Sequence, residues 1–265
     1  MKQFTYIETL GPEKGIATIS LNRPEVHNAF NIEMIRELLL AYAAFNSDDK
    51  ARIILLKASG ENFSSGADLK WMKEGINQSE EELKRESREL AHMFKAIYES
   101  GKVTIVLALG KVIGGANGLL AASDIVVASP ESSFSFSEAK VGLIPATIAP
   151  YVIQKTGISI AREWFLTSRA IRGVEAYDRG LVNYLVDKLE VDRKSKELCD
   201  MLLQNGPEAL ISIKDMLRIK NIGERPNSLV DETVEMLTSK RISTEAKEGI
   251  TAFLEKRKPK WTDEI

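Results

Sequence analysis

The stretch GGANGLLAASD, Gly114–Asp124, holds three glycines, one amide and a run of small apolar residues, with no acid or base before Asp124. What such a segment can offer is main chain. Glycine lets a ligand oxygen approach the backbone closely, and a helix that opens there leaves its first N–H groups without internal partners. The apolar VTIVLAL (103–109) lies before it and DIVVAS (124–129) ends it. GKVIGGANG therefore reads as loop and GLLAAS as a turn or two of helix between two buried strands.

SSGAD (64–68) repeats the design. It follows RIILLKAS (52–59), a continuous apolar run that suits a strand buried on both faces, and it leads into a short helix. Two such turns side by side would aim two N–H donors and two positive helix ends at one point, the geometry of an oxyanion hole. The candidate donors are the amides of Ala67 and Gly115. Each turn alone is also an ordinary strand-to-helix junction, and Asp68 fits a plain N-cap. Neither is a phosphate loop: no Gly-Lys-Ser/Thr follows, and neither matches G-x-G-x-x-G.

Outward from these turns, strands and helices alternate to about residue 190. FTYIETL and GIATISL read as strands around a turn at GPEKG (11–15). Residues 31–46 carry helical periodicity, and a longer helix opens at Ser79, with Glu82 placed for a capping box. SFSFSEAKVG alternates briefly and the chain turns at Pro145. Helices are expected near 158–168, 174–180, 190–204, 208–220, 228–239 and 243–256, with one last strand in GLVNYLV (180–186). This order predicts an α/β core over 1–195 followed by a helical segment over 196–265.

Composition narrows the function. The net charge of −2 gives no electrostatic reason to expect nucleic acid or an anionic membrane as partner. Cys199 is the one cysteine and His27 and His92 the two histidines, so neither an internal disulfide nor a zinc site is expected. The amino-terminal letters lack the apolar core of a signal peptide, and no apolar run is long enough to span a bilayer. The expected location is the cytoplasm. No G-x-S-x-G elbow is present, and neither histidine has a triad-like pattern around it.

Five segments, NRPEVHNAFN, FSSGADLKWM, GGANGLLAASDIVVAS, FSFSEAKVGLIPATIAPY and EGITAFLEKRKPKW, resemble in order and spacing the motifs of the crotonase (enoyl-CoA hydratase/isomerase) superfamily. The resemblance covers nearly the whole chain, and GLIPATIAPY is similar to the branch containing bacterial methylglutaconyl-CoA hydratases. It implies a spiral of β-β-α turns forming two nearly perpendicular sheets, with C-terminal helices that build trimers or hexamers. It implies an acyl-CoA substrate, coenzyme A being part of the substrate and no separate cofactor being needed. The thioester carbonyl would meet the amides of Ala67 and Gly115. Glu25, Val26, His27 and Ala29 would contact CoA together with Ser64, Gly66, Asp68 and Leu69. The last helix adds Phe253 and Lys256, which equally suit packing or solvation of that helix.

Hydratases of the best-known type in this family use two glutamates. The second aligns with Glu138; the first aligns with Gly118. One carboxylate suffices in principle for a syn addition, because it can take a proton from water and return it to C2. Burial beside an acyl chain would raise its pKa and help it. Gly118 is expected to leave room, and to withhold a charge, where the acyl chain carries its own carboxylate. Asn117 either positions water or substrate, or caps the helix. Isomerisation and decarboxylation would use the same enolate. A catalytically weak CoA-binding or RNA-binding relative is the reading from outside enzymology, and the acidic start of the helix near 79–97 argues against RNA.

Overall fold

The computed structural model describes residues 4–218 and 230–263. The hairpin of β1 (Ile7–Glu13) and β2 (Ile16–Leu21) opens the chain. β1 starts later than FTYIETL suggests and runs through most of GPEKG, with a register shift between Leu10 and Glu13; only Lys14 and Gly15 make the turn. Both take positive φ, the conformation that a tight hairpin turn demands.

The helix α1 (Ile32–Asn46) begins where the Asn31 side chain accepts the Met34 N–H, and it buries Ile35, Leu38, Tyr42 and Phe45 at helical spacing. Parallel strands β3 (Ile53–Ala58) and β4 (Val103–Ala108) follow, separated by α2 (Leu69–Gly75) and α3 (Glu80–Tyr98). The expected capping box is formed: Ser79 and Glu82 satisfy each other's backbone amides. Then come β5 (Lys111–Ile113), α4 (Ala116–Ala122), β6 (Ile125–Ala128) and β7 (Ser133–Ser135).

α5 (Ala149–Thr156), α6 (Ile158–Thr167), β8 (Ile171–Arg172), α7 (Gly173–Asp178) and β9 (Tyr184–Leu185) lead into the last helices. These are α8 (Val191–Leu203), α9 (Pro207–Leu217), α10 (Val230–Arg241) and α11 (Thr244–Leu254). The ends of the helices expected over 208–220 and 228–239 fall partly outside the described residues. β5, β8 and α5 are additions to the sequence reading.

Two sheets result, one in the order β1-β2-β3-β4-β6-β9 and a smaller one in the order β5-β7-β8. Every pairing from β2 to β9 in the larger sheet is parallel. Alternation along its central strands supplies two cores. Ile54, Leu56, Val106 and Val126 face α1, α3 and α4, whereas Ile53, Ile105, Leu107 and Val127 face Val191, Leu198 and Cys199 of α8. Covering both faces explains why β4 is buried at every position and why its letters show no polar alternation. The turns that follow β3 and β5 therefore grow from a rigid base.

Candidate active site

The loop after β3 is tied to two neighbours. Ser64 pairs with β5: its N–H donates to the Lys111 carbonyl (3.1 Å) and its carbonyl accepts the Ile113 N–H (3.0 Å). Its buried hydroxyl donates to the Asn28 carbonyl (2.7 Å) and accepts the Gly66 N–H (3.2 Å). The Gly66 carbonyl in turn accepts the Phe30 N–H (2.7 Å), and the Asp68 N–H donates to the Phe30 carbonyl (2.7 Å). Gly66 has φ +86°, and a Cβ there would lie 2.6 Å from the Ile113 carbonyl oxygen, so only glycine fits. Amid these paired groups the Ala67 N–H donates to no described residue, and Ala67 is exposed.

The second turn lies directly beside the first. The same Cβ position at Gly66 is 3.8 Å from Gly114 Cα. Gly114 (φ +55°) donates its N–H to the Ser135 carbonyl (2.7 Å), and its own carbonyl accepts the Asn117 N–H (3.0 Å). Gly115 then takes the N-cap position of α4, with no side-chain cap, and its N–H likewise donates to no described residue. The two turns picked out from the letters thus run side by side, each with one unspent amide.

Glu138 opens a short helical turn (Glu138–Val141) just beyond β7. Its carboxyl comes over Gly114: a Cβ at Gly114 would lie 3.4 Å from Glu138 Oε1. The carboxyl is half-buried, and its Oε2 has no hydrogen-bond partner. Burial pushes its pKa above the ordinary carboxylate value, opposed only by its own backbone amide. No charged neighbour contributes. The site therefore holds an acid–base group on the edge of an amide-lined cleft, which can move a proton without first breaking an ion pair.

Several expected contacts have structural duties instead. The Asp68 carboxylate caps α2 by accepting the Lys70 N–H (2.8 Å) and pairs with Arg23 Nη2 (2.9 Å). Burial alone would raise its pKa; the Lys70 amide and Arg23 outweigh that and hold it below the usual range. The plain N-cap is thus what Asp68 provides. Ser64, fully buried, spends its hydroxyl on Asn28 and Gly66.

Asn117 is also fully buried and does not cap α4. Its Nδ2 donates to the Gly114 and Ser135 carbonyls (3.0 Å each). Gly118 does not open room. A Cβ there would meet Phe94 Cε1 at 2.6 Å and would collide with Ile148 as well, so core side chains already fill the space. Ala29 is buried, whereas Glu25, Val26, His27 and Leu69 face outward, Leu69 being 82% exposed.

Phe253 and Lys256 are exposed at the end of α11. The closing segment packs near the start of β3, where Arg52 donates to the carbonyls of Leu203 (3.2 Å), Asn205 (2.6 Å) and Trp261 (3.3 Å). Loop 64–68 follows the other end of that strand.

Two organising residues escaped the sequence reading. Arg23 donates to the Ala29 carbonyl (2.7 Å), pairs with Asp68 and lies over the Tyr6 ring (4.7 Å). Asn28 (φ +53°) is buried; its Oδ1 accepts the Arg23 N–H (2.8 Å) and its Nδ2 donates to the Ser59 (2.8 Å) and Asn62 (2.9 Å) carbonyls. An Asn that follows a Pro-led turn, in a polar loop, is the available signal, since Asn tolerates a left-handed backbone. Among the described residues there is no group of three or more metal-ligating side chains, and no helix is long and apolar enough to cross a membrane.

Residues 11–264 match the family model described as enoyl-CoA hydratase/isomerase. The crystal structure of an enoyl-CoA hydratase from Shewanella pealeana superposes with a TM-score of 0.94 at 36% identity, covering 98% of this chain and 97% of that one. Pseudomonas aeruginosa AtuE gives a TM-score of 0.92 at 29% identity over 97% of this chain and 100% of its own. A trans-2-decenoyl-[acyl-carrier-protein] isomerase from Streptococcus mutans is 28% identical over 94% of this chain and 95% of that protein. A strand-to-helix pair of bare amides beside a half-buried glutamate, in a chain matched over residues 11–264, identifies it as a crotonase-superfamily protein of the enoyl-CoA hydratase/isomerase family.

Proposed function

We propose that the chain hydrates an α,β-unsaturated acyl-CoA thioester. The observation that carries this is the half-buried Glu138 carboxyl, its Oε2 without a partner, set against the turn whose Gly115 amide is unspent. The Ala67 and Gly115 N–H groups would hold the thioester oxygen. Glu138, ionised, takes one proton from water as the water oxygen bonds to C3. The alkene π electrons move to C2 and the thioester oxygen, giving an enolate that the two amides stabilise. Glu138 then returns the proton to C2, and the enzyme regains its starting state. Preorganised donors in such a site contribute about 3–4 kcal/mol each, comparable to what a single general acid–base group supplies.

The test is loss of enoyl-thioester absorbance with linear, branched and carboxylated enoyl-CoAs, methylglutaconyl-CoA among them. Glu138→Gln should cost at least about 10³-fold in kcat while CoA affinity is retained. Because the base form is required and burial raises its pKa, kcat/KM should fall as pH drops through a value above the ordinary glutamate range. A Glu138→Gln protein of parental activity ends the proposal. Isomerisation is the second reading, favoured by the single carboxylate: Glu138 would take a proton from one carbon and give it to another. Product analysis separates the two, since only hydration yields a 3-hydroxyacyl thioester.

The assembly is proposed to be a trimer or a pair of trimers. Supporting it is the exposed apolar set on the last helices, Ile213 and Leu217 on α9, Val234 and Leu237 on α10, and Phe253, 83% exposed, on α11. A neighbour would bury these residues and could carry Phe253 and Lys256 to its own bound CoA. A sedimentation coefficient of a monomer at micromolar concentration would end that part.

A further inference from the structure

We infer that Asn117 is a positioning residue that sets the spacing between the Gly115 amide and the Glu138 carboxyl. This rests on the hydratase reading above. The two groups belong to different elements: Gly115 opens α4, and Glu138 stands three residues beyond the end of β7. Only non-covalent links fix one against the other. One is the main-chain bond from the Gly114 N–H to the Ser135 carbonyl (2.7 Å). The other is Asn117, whose Nδ2 reaches the Gly114 carbonyl (3.0 Å) on the donor's side and the Ser135 carbonyl (3.0 Å) on the carboxyl's side. A third, longer bond (3.4 Å) goes to the Val112 carbonyl in β5.

The chemistry of the side chain fits that duty. All its acceptors are carbonyl oxygens gathered about Nδ2, whereas its Oδ1 has no partner, so Asn117 works as a donor. It is fully buried, which keeps water from substituting for it and strengthens the bonds. Ala at 117 would remove the side-chain donor common to the Gly114 and Ser135 carbonyls and leave each with its main-chain bond alone. Asp would fit the space, but an ionised carboxylate would face carbonyl oxygens with no donor near, and only its neutral form could donate one bond. A hydroxyacyl or enoyl carbon must sit within reach of both Glu138 and the amides, and a misplacement of about 1 Å in such a site costs about 10²-fold.

The experiment compares Asn117→Ala, Asn117→Asp and Glu138→Gln with the parent on its best enoyl-CoA, across pH, with melting curves and CoA binding by calorimetry. Asn117→Ala should stay folded, bind CoA as the parent does and lose about 10- to 100-fold in kcat with little change in KM. Asn117→Asp should show the parental acid limb and, in addition, a loss of kcat as pH rises and the new carboxyl ionises. Asn117→Ala within twofold of parental kcat overturns the inference. If Asn117→Ala does not fold, the Asp variant decides: a profile parallel to the parent's overturns it too. Glu138→Gln at the parental rate, or an inert parent, sinks the hydratase reading and this inference with it; an inert Glu138→Gln beside a fully active Asn117→Ala sinks this inference alone.

Discussion

The turn at 113–118 and the loop at 64–68 each leave one amide free, and they are held by opposite means. Loop 64–68 is fixed by its backbone: Gly66 sits at φ +86° against the Ile113 carbonyl, and Ser64, Phe30 and Asn28 take up its remaining polar groups. At 113–118 the crucial residue is relaxed. Gly115 has φ −52°, ψ −21°, ordinary helical values, and nothing lies within 4 Å of where its Cβ would be. There a side chain, Asn117, does the holding. Gly66 is therefore a conformational requirement and Gly115 an open approach, the positive φ of the second turn falling on Gly114 (φ +55°), although both turns read alike in the letters.

The largest effect that separates the two is expected from Gly115→Pro. Proline fits the observed φ and removes only an N–H that donates to no described residue. Loss of one oxyanion donor costs about 10²–10³-fold in kcat. Gly115→Ala keeps the amide and meets no protein atom, so it is the control: it should melt with the parent and lose less rate than proline. Kinetics and melting of the pair isolate the N–H from the fold. If proline and alanine at 115 had the same kcat, the amide would not be a donor to the reaction, and the likeness between the two turns would be one of shape alone.

What the letters disclosed follows range of interaction. The capping box at Ser79, the buried runs of β3 and β4 and the two glycine turns are local patterns, and all were legible. β5 and β8, of three and two residues, are too short to show a period, and β5 hides inside a glycine-rich segment read as loop. α5 was missed because the segment after the turn at Pro145 showed no helix before about 158; its Pro150 stands in the first helical turn, where a missing N–H costs nothing. The surroundings of the site residues were illegible for one reason. Gly118 is blocked by Phe94 and Ile148, Asp68 is claimed by Arg23, and Asn117 reaches Ser135, all partners far away in sequence. Glu138 was found only through family resemblance; its burial and its lack of a partner are tertiary facts.

Gly66→Ala sharpens the contrast from the other side and should have a smaller effect on rate and a larger one on stability. Alanine at φ +86° is strained by about 1–3 kcal/mol, and its Cβ would lie 2.6 Å from the Ile113 oxygen, with main chain rather than a flexible side chain in the way. Relief requires the loop to move away from β5, loosening the Ser64 pairings on which Ala67 depends. The amide itself survives. Its displacement should lower kcat/KM by about 10-fold, with a fall in melting temperature that Gly115→Pro does not show. The two variants thus exchange signatures: one keeps the fold and loses the donor, the other keeps the donor and strains the fold. A Gly66→Ala protein that melts with the parent would mean that the loop can yield at no cost, and the rigidity assigned to 64–68 would then have to lie in Ser64 and Asn28 alone.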